Sequence, residues 1–371
     1  MNVNELLELM IKSGISDIHF KAGASPLIRV NGKLFSTEHA AFTARHIEEL
    51  SFSLMSREQK AKFEEDDELD MSYSIDGVSR FRINAYRQRG TIALSMRVVP
   101  LKVGNFEDLH LPSEVLKKLS LESRGLILIT GITGAGKTTT MNAIIDYINE
   151  NFAYNIISVE DPIEYYHTDK KSSISQREVG GDTKSFRNAL KFILRQDPDV
   201  VVIGEMRESE AITAGISAAE TGHLVVSTIH TIDAAHTIDR IVDAYPPHQQ
   251  TQVRNQLANV IKGIVAQRLI NRCDGEGRIP AVEILIGTSL VRKFIAENKT
   301  VDLLKTMEQG EYYGMCTFDQ SLYRLHKEGK INLEDAIDNA TNPDDLMLKI
   351  RGVDRGGSII AEETRVNKQS M

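Results

Sequence analysis

The chain has 371 residues, 41% of them hydrophobic, and a formal net charge of −8. Since a chain of this length is long for one core, we expect two domains. The acidic balance argues against a protein whose main surface binds nucleic acid directly. No apolar run approaches the roughly 20 residues of a membrane-spanning helix, and Cys273 and Cys316 lack the spacing of a zinc site or a disulfide framework. We therefore expect a cytoplasmic protein whose contact with a membrane is peripheral.

Residues 1–100 predict a small mixed α+β domain. Turn signals at Asn31-Gly32, Asp76-Gly77 and Arg89-Gly90 accompany alternating stretches, which predicts antiparallel strands, and residues 44–64 predict a helix between them. In the stretch 80–85, a period of two separates an apolar face from a polar one. The apolar face carries Phe81, Ile83 and Ala85, and the polar face carries Arg80, Arg82 and Asn84. The same alternation separates Met96 from Arg97.

A linker is predicted at 101–112, with Gly104 inside it, and a second domain at 113–352. In that domain apolar strands alternate with helical patterns, which favours a parallel sheet flanked by helices. The predicted strands are 126–130, 156–159, 200–203 and 224–228. Apolar residues from Val253 to Leu269 predict one helix with a broad packing face. The tail 353–371 lacks apolar periodicity and is predicted to be mobile.

Residues 131–138 read Gly-Ile-Thr-Gly-Ala-Gly-Lys-Thr, the full phosphate-binding loop pattern. The loop lies between a short apolar run and an amphipathic helical pattern, which is the expected strand-loop-helix context. It predicts binding of ATP with Mg²⁺: Lys137 reaches the β- and γ-phosphates and the Thr138 hydroxyl can ligate the cation. The residues predicted to contact the nucleotide are Gly131, Thr133, Gly134, Ala135, Gly136, Lys137, Thr138 and Thr139.

Acidic residues follow two other predicted strands. Glu205 ends an apolar run, where a carboxylate can orient Mg²⁺ or its water, and is the acid we assign to that role. Glu160, Asp161 and Glu164 lie near the end of another strand. Hydrolysis of a γ-phosphate needs a carboxylate that positions or deprotonates the attacking water, and any of these three residues could supply it.

Histidines and arginines complete the candidate set. His223 and His230 bracket one predicted strand, so they are not expected at the same place, and His236 is the weakest candidate of the three. A histidine after a buried strand can hydrogen-bond a phosphate. A fixed guanidinium can clamp phosphate oxygens, and Arg80, Arg82, Arg97 and Arg207 are the candidates for that role.

Four segments together resemble one known family. They are the phosphate loop, Glu-Asp-Pro-Ile-Glu-Tyr, Gly-Glu-Met-Arg and Ala-Glu-Thr-Gly-His-Leu with Ser-Thr-Ile-His. In this order they look like the Walker A, Asp box, Walker B and His box of secretion-type motor ATPases. Within that superfamily the chain is most similar to the type IV pilus retraction ATPases of the PilT and PilU branch, from the Ser-Asp-Ile-His segment at residue 16 to about Lys349.

The resemblance implies a homohexamer with a PAS-like N-terminal domain and a RecA-like ATPase domain. It implies that Glu164 is the general base, that Glu205 is the Walker B acid, and that His230 is the phosphate contact of the His box. Arg82 and Arg97 match N-domain arginines that face the nucleotide. The implied partners are an inner-membrane platform protein of the pilus and, as a further possibility, a second retraction ATPase, with no direct nucleic acid.

One stretch departs from the retraction branch. That branch carries Ala-Ile-Arg-Asn-Leu-Ile-Arg-Glu, whereas residues 289–297 read Ser-Leu-Val-Arg-Lys-Phe-Ile-Ala-Glu. The altered stretch still predicts a helix, with Leu290, Phe294 and Ile295 available for packing. The chain also lacks the tetracysteine zinc motif of the pilus assembly ATPases.

The function expected from the resemblance is pilus retraction driven by ATP hydrolysis, which underlies twitching motility. The alternatives are a PilU-like accessory retraction ATPase, another secretion or DNA-transfer ATPase of the superfamily, and a ring that binds nucleotide without hydrolysing it. The net negative charge of the chain disfavours a protein that pumps DNA directly. The joint presence of Lys137, Glu164 and Glu205 disfavours the non-hydrolysing ring.

Overall fold

The computed structural model describes residues 3–13, 15–30, 33–75, 79–99 and 103–352. The chain forms two compact units: Met1–Val103 with Pro162–His167, and Gly104–Asp161 with Thr168–Met371. Several expectations lie outside the described residues: the turns at Asn31-Gly32 and Asp76-Gly77, the first two residues of the linker, and the tail 353–371. Residues 103–112 are described and contain neither helix nor strand.

The first unit is built on a six-stranded antiparallel sheet of order β3-β2-β1-β6-β5-β4. Its elements in chain order are α1 (Val3–Lys12), β1 (Asp17–Lys21), β2 (Leu27–Val30), β3 (Lys33–Ser36), α2 (Ala44–Leu54), α3 (Arg57–Asp66), β4 (Glu68–Ile75), β5 (Ser79–Gln88) and β6 (Thr91–Val99).

The alternation predicted in β5 sets the core of this unit. Phe81, Ile83 and Ala85 are fully buried, and they pack in one cluster with Met96 of β6. The predicted hairpin between β5 and β6 is also present: Gln88 pairs with Thr91, and the residues between them, Arg89 and Gly90, have φ of 48° and 74°. Two left-handed residues in a two-residue loop match the twist of the flanking strands.

The segment 44–64, predicted to be helical, forms two helices with a short break between them. α2 ends at Leu54, and α3 begins at Arg57 after the N-cap Ser56. The Ser56 hydroxyl accepts from the backbone N–H of Gln59, and the Gln59 side chain accepts from the backbone N–H of Ser56. This reciprocal capping box starts a new helix inside a stretch whose composition reads as continuous.

The second unit carries a seven-stranded sheet of order β13-β12-β7-β11-β10-β8-β9, parallel except for the β12–β13 pair. Its strands are β7 (Gly125–Thr130), β8 (Asn155–Glu160), β9 (Ser173–Glu178), β10 (Val200–Ile203), β11 (Leu224–Ile229), β12 (Ile261–Asn271) and β13 (Arg278–Ile286). The four predicted strands are therefore present as β7, β8, β10 and β11. Because these strands are parallel, their carboxyl ends lie at one edge of the sheet.

Helices accompany the strands of this unit. They are α4 (Ser113–Ser120), α5 (Lys137–Asn151), α6 (Phe186–Ile193), α7 (Ser209–Glu220), α8 (Ala234–Asp243), α9 (Pro247–Val260), α10 (Ser289–Ala296), α11 (Asp302–Glu308), α12 (Phe318–Lys327), α13 (Leu333–Asp338) and α14 (Pro343–Ile350). In the part of the chain that the structure describes, none of the helices has the length and apolarity needed to span a bilayer.

The helix predicted from Val253 to Leu269 is correct only in its first half. α9 ends at Val260, and Ile261 begins β12. β12 lies between β7 and β13, and its consecutive residues Ile264 and Val265 are both fully buried. A strand that is covered on both faces does not alternate apolar and polar residues. The apolar residues of β12 therefore follow those of α9 in the sequence with no change of pattern that marks the boundary.

The helix predicted at 289–297 is present as α10. Thr288 caps it by accepting from the backbone N–H of Val291, and Ile295 is fully buried, as expected for a packing residue. Phe294 is half-buried against the core, whereas Leu290 is 50% exposed and does not pack as expected. The departure from the branch motif therefore preserves the helix but leaves one apolar side chain on the surface.

Candidate nucleotide-binding site

The phosphate loop connects β7 to α5. Gly131, Gly134 and Gly136 adopt φ of 152°, 79° and 88°, which L side chains rarely occupy. At Gly131 a Cβ atom would also lie 2.7 Å from the carbonyl oxygen of Gln267. These backbone shapes turn the loop so that the first N–H groups of α5, which have no partner inside the helix, can face an anion.

Lys137 is the first residue of α5 and is only 7% exposed. Its ammonium donates to the carbonyl oxygens of Gly131 (2.9 Å) and Ile132 (3.0 Å). Two carbonyls of the loop thus hold the cation over the concavity that the loop encloses. Thr138 and Thr139 follow it in the first turn of α5 and are half-buried, while Thr133 and Gly134 at the loop tip are exposed and Ala135 is buried.

The structure brings His230 and Glu205 to the same place as Lys137. His230 follows β11, and its Nδ1 lies 3.4 Å from the Lys137 ammonium. Its other ring nitrogen, Nε2, lies 3.6 Å from a carboxylate oxygen of Glu205, which follows β10. The imidazole therefore lies between the Lys137 ammonium, which can bind a phosphate, and the Glu205 carboxylate, which can bind the metal of a nucleotide.

A cavity of about 340 Å³ opens beside this cluster. It is lined by Thr133 of the loop, by Glu205 and His230, and by two guanidinium groups, those of Arg207 and Arg240. Arg207 was among the sequence candidates, whereas Arg240 was missed. Arg240 lies on the exposed side of α8, whose buried side includes Ile238 and Ile241. In the sequence, Arg240 could have been noticed only as an arginine in the helix that follows the His box.

Hydroxyl groups join the His230 segment to the strand that carries the phosphate loop. Thr130, the last residue of β7, donates to the carbonyl oxygen of Thr231 at 2.9 Å, and the two threonine hydroxyls are also in contact. Thr231 in turn contacts the Thr237 hydroxyl at 2.6 Å. The position of His230 is therefore tied to the residue that immediately precedes Gly131.

The other two histidines have local roles. His223 lies at the amino end of β11, opposite to the end that carries His230, and its Nδ1 is 3.0 Å from the carbonyl oxygen of Ala218. His236 lies on α8 with its Nδ1 2.7 Å from Asp233, the N-cap of that helix. Neither residue lines the cavity described above.

The three carboxylates after β8 have different environments. Glu160 is 2% exposed and accepts from the hydroxyl of Ser158 (2.7 Å) and the amide of Gln176 (3.2 Å). Asp161 and Glu164 are exposed. Glu164 belongs to the first unit, in the segment Pro162–His167, whereas the cluster of Lys137, His230 and Glu205 belongs to the second.

Arg82 and Arg97 also belong to the first unit, where they lie directly opposite each other on β5 and β6. The row continues across the sheet, with Asp17 of β1 opposite Arg97 and Arg29 of β2 opposite Asp17. The Asp17 carboxylate is 2.6 Å from Nε of Arg97 and 3.8 Å from Nε of Arg29. This arginine row (Arg82, Arg97, Asp17 and Arg29) lies on the sheet face opposite Phe81 and Ile83. Arg80 shares that face.

With this geometry in place, comparison with known proteins gives a consistent result. The family model of type II/IV secretion system proteins matches residues 1–321. The chain belongs to this family. It is 41% identical to the type IV pilus retraction ATPase PilT of Pseudomonas aeruginosa over 93% of this chain and 100% of that protein. It is 39% identical to the type IV pilus ATPase PilU of the same organism, over 95% of this chain and 92% of that protein.

A solved structure agrees with these sequence matches. The crystal structure of the pilus retraction motor PilT with bound ADP superposes with a TM-score of 0.87, at 43% identity over 94% of this chain and 99% of that one. The resemblance found in the sequence is therefore confirmed. The fold class is confirmed as well: a small N-terminal domain on an antiparallel sheet, followed by a P-loop domain on a mostly parallel sheet.

Proposed function

We propose that this protein is an ATP-hydrolysing motor of the secretion type that drives retraction of a type IV pilus. The observation that carries the proposal is the convergence of Lys137, His230 and Glu205 beside a complete phosphate loop. Phosphoryl transfer to water needs cations that neutralise charge on the leaving phosphate and groups that fix the γ-phosphate, and this cluster supplies both. The near full-length similarity to PilT supports the assignment of the motor to retraction.

Mg²⁺ fits the donor set at this site. The hydroxyl of Thr138 and the carboxylate of Glu205 are hard oxygen ligands, and magnesium bound with a nucleotide takes few ligands from the protein. When bound, the cation would neutralise developing charge on the phosphates.

The remaining roles belong to the protein itself. Lys137 exchanges its carbonyl partners for the β- and γ-phosphates, and His230 hydrogen-bonds the γ-phosphate and registers its loss. Glu164 accepts the proton of the attacking water, and Arg82 and Arg97 face the nucleotide from the first domain. A guanidinium on a separate domain couples hydrolysis to domain position, which is how a chemical step becomes movement.

We further propose that the working form is a homohexamer at the cytoplasmic face of the inner membrane, where it acts on the platform protein of the pilus. The predicted linker 101–112, which includes Gly104, would allow the two domains to move. These points are supported by the similarity to PilT and by the family motifs. A second retraction ATPase is a further partner that we propose from the similarity to PilU.

The primary test is hydrolysis by the purified full chain with Mg²⁺. Lys137→Ala is expected to abolish turnover, because this ammonium is the cation that the loop itself holds over the phosphates. Lys171→Ala, which removes an exposed lysine beyond the far end of α5, serves as the matched control and should hydrolyse ATP normally. Retained turnover in Lys137→Ala would refute the site.

The direction of movement is tested in cells. Loss of the protein should leave pili assembled but poorly withdrawn, with extra surface pili and reduced twitching. A deletion strain without pili would identify an assembly motor instead. Unchanged pili and twitching would identify the second candidate, a PilU-like accessory ATPase, which is favoured by the 39% identity to PilU and by the altered residues of α10.

A further inference from the structure

The first unit carries an acidic corner, residues 64–70, where α3 meets β4. The corner reads Glu-Glu-Asp-Asp-Glu-Leu-Asp, and all of its residues except Leu69 are exposed. Two of the carboxylates form ion pairs, that of Glu64 with Lys60 and that of Asp67 with Arg87. The other four carboxylates have no ion pair with any residue that the structure describes; they belong to Glu65, Asp66, Glu68 and Asp70.

The acids at the end of α3 oppose the dipole of that helix. Glu64, Glu65 and Asp66 lie in its last turn, which contains no basic residue. The carbonyl end of a helix carries a partial negative charge, so it favours cations and disfavours carboxylates. A run of like charges also repels itself. The acidic corner is therefore electrostatically unfavourable in an isolated copy of the chain, and cations brought by another molecule would stabilise it.

The second unit carries the opposite charges on a basic face formed by α6 and its flanking residues. The stretch 183–195 contains four cations and no acid; the cations are Lys184, Arg187, Lys191 and Arg195. All four are exposed, and within the described part of the chain none of them forms an ion pair. Arg187 lies in the first turn of α6, where the helix dipole disfavours a cation. Lys191 follows it at the i+4 spacing, at which like charges repel.

The basic face borders a groove that can receive a projecting segment. A cavity of about 520 Å³ lies between α6, α7 and the turn that joins α8 to α9. Its lining includes the cations Arg187 and Lys191, the acid Glu210, and the side chains of Leu190 and Tyr245. The two cations therefore stand at a concave surface. A turn of another protein chain can enter such a surface, whereas a flat lipid bilayer cannot follow its shape.

We propose that the acidic corner of one copy of this chain docks on the basic face of the next copy. This inference rests on the proposed homohexamer and names the surfaces that join its subunits. Each surface brings four unpaired charges, of opposite sign, and each relieves the unfavourable charges of the other. Each copy offers the corner to one neighbour and the face to the other neighbour. Such a heterologous contact is the kind that closes into a ring.

The experiment reverses the charge of each surface in the full chain. The corner variant carries Glu65→Lys with Asp66→Lys, and the face variant carries Arg187→Glu with Lys191→Glu. The mass of the assembly is measured by light scattering and sedimentation over a range of protein concentrations. Measurements at about 50 mM and about 500 mM salt test the electrostatic origin, because salt screens exposed charges. Circular dichroism confirms that each variant is folded.

The control variant carries Lys118→Glu with Lys171→Glu. It makes the same change of charge as the face variant at two exposed lysines outside the basic face. We expect the corner variant and the face variant each to need about tenfold more protein than wild type to assemble, because like charges then meet across the contact. The control should stay within about twofold of wild type. Wild type should need more protein at the higher salt concentration.

An equimolar mixture of the two variants decides whether the contact joins different copies. In the mixture, the acidic corner of the face variant meets the basic face of the corner variant. The lysines of the corner variant meet the glutamates of the face variant. Alternating copies are therefore complementary, and the mixture should assemble within about threefold of the wild-type concentration. Mixing cannot restore a contact that lies within one chain.

Two results would overturn the proposal: wild-type assembly of the corner or face variant alone, or a mixture that assembles no better than its components. Impaired assembly of the control would also overturn it, because the net charge alone would then account for the effect. A wild-type protein that remains monomeric would refute the homohexamer itself. A wild-type hexamer that is insensitive to both reversals would refute only the pairing of these two surfaces.

Discussion

Glu283, a buried acid on β13, makes the stability of this protein depend on pH. One substitution should remove this dependence. In the folded chain the pKa of Glu283 is about 7, against an ordinary value of 4.5, chiefly because the carboxyl is buried. The folded state therefore binds this proton more tightly than the unfolded state between these two values. Stability from this group is complete below pH 4.5 and falls as the pH rises toward 7.

The size of the effect follows from the shift. A difference of about 2.5 pKa units at about 1.4 kcal/mol each gives a loss of about 3 kcal/mol, as an upper bound, between pH 4.5 and pH 8. Glutamine cannot ionise, so Glu283→Gln should lack this loss. The free energy of unfolding of the variant, relative to wild type, should therefore rise with pH by up to about 3 kcal/mol.

The assay is denaturant unfolding at a series of pH values, followed by far-ultraviolet circular dichroism because the chain has no tryptophan. Glu334→Gln, which alters an exposed carboxylate in the first turn of α13, is the control and should run parallel to wild type. A stability difference between Glu283→Gln and wild type that does not change from pH 5 to pH 8 would refute the reasoning.

Three further predictions concern the proposed site and its support. Glu164→Gln should still bind nucleotide while hydrolysis falls by about two orders of magnitude or more, measured as phosphate release; near-normal turnover would move the role to another carboxylate. Arg82→Ala and Arg97→Ala should each lower turnover without unfolding the first domain, as judged by circular dichroism, and normal hydrolysis in both would end the coupling proposal. Gly204→Ala should destabilise the second domain by about 1–3 kcal/mol in denaturant unfolding, because its Cβ would lie 3.2 Å from Cα of Glu160. Gly181→Ala, with open space around it, is the control, and equal stability of the two variants would contradict the steric account.

The parts of the fold that could be predicted from sequence are those with a strong local signal. The phosphate loop has a fixed spacing of glycines and lysine, and the alternation around Phe81 reports directly which face of β5 is buried. The four parallel strands could be found because turns and polar residues bound their apolar runs. In each case, neighbouring residues carry the information.

Other features depend on contacts between distant segments. The boundary at Val260 was missed because a strand buried on both faces continues the apolar run of the preceding helix. Arg240 gave no signal beyond its type, since its place beside Glu205 depends on how α8 packs. Glu283 stands in an apolar stretch, and the sequence does not indicate that the first turn of α8 meets its carboxylate.

The arginine row of the first unit has an energetic consequence. Like charges directly across a strand pair repel each other, and Arg82 faces Arg97, whose Nε pairs with Asp17. In a chain of net charge −8, this face therefore carries a local positive potential. A bound polyphosphate would relieve the repulsion, so the first unit should be more stable with the anion than without it. Binding of a polyphosphate to this face would then raise the free energy of unfolding of the first unit.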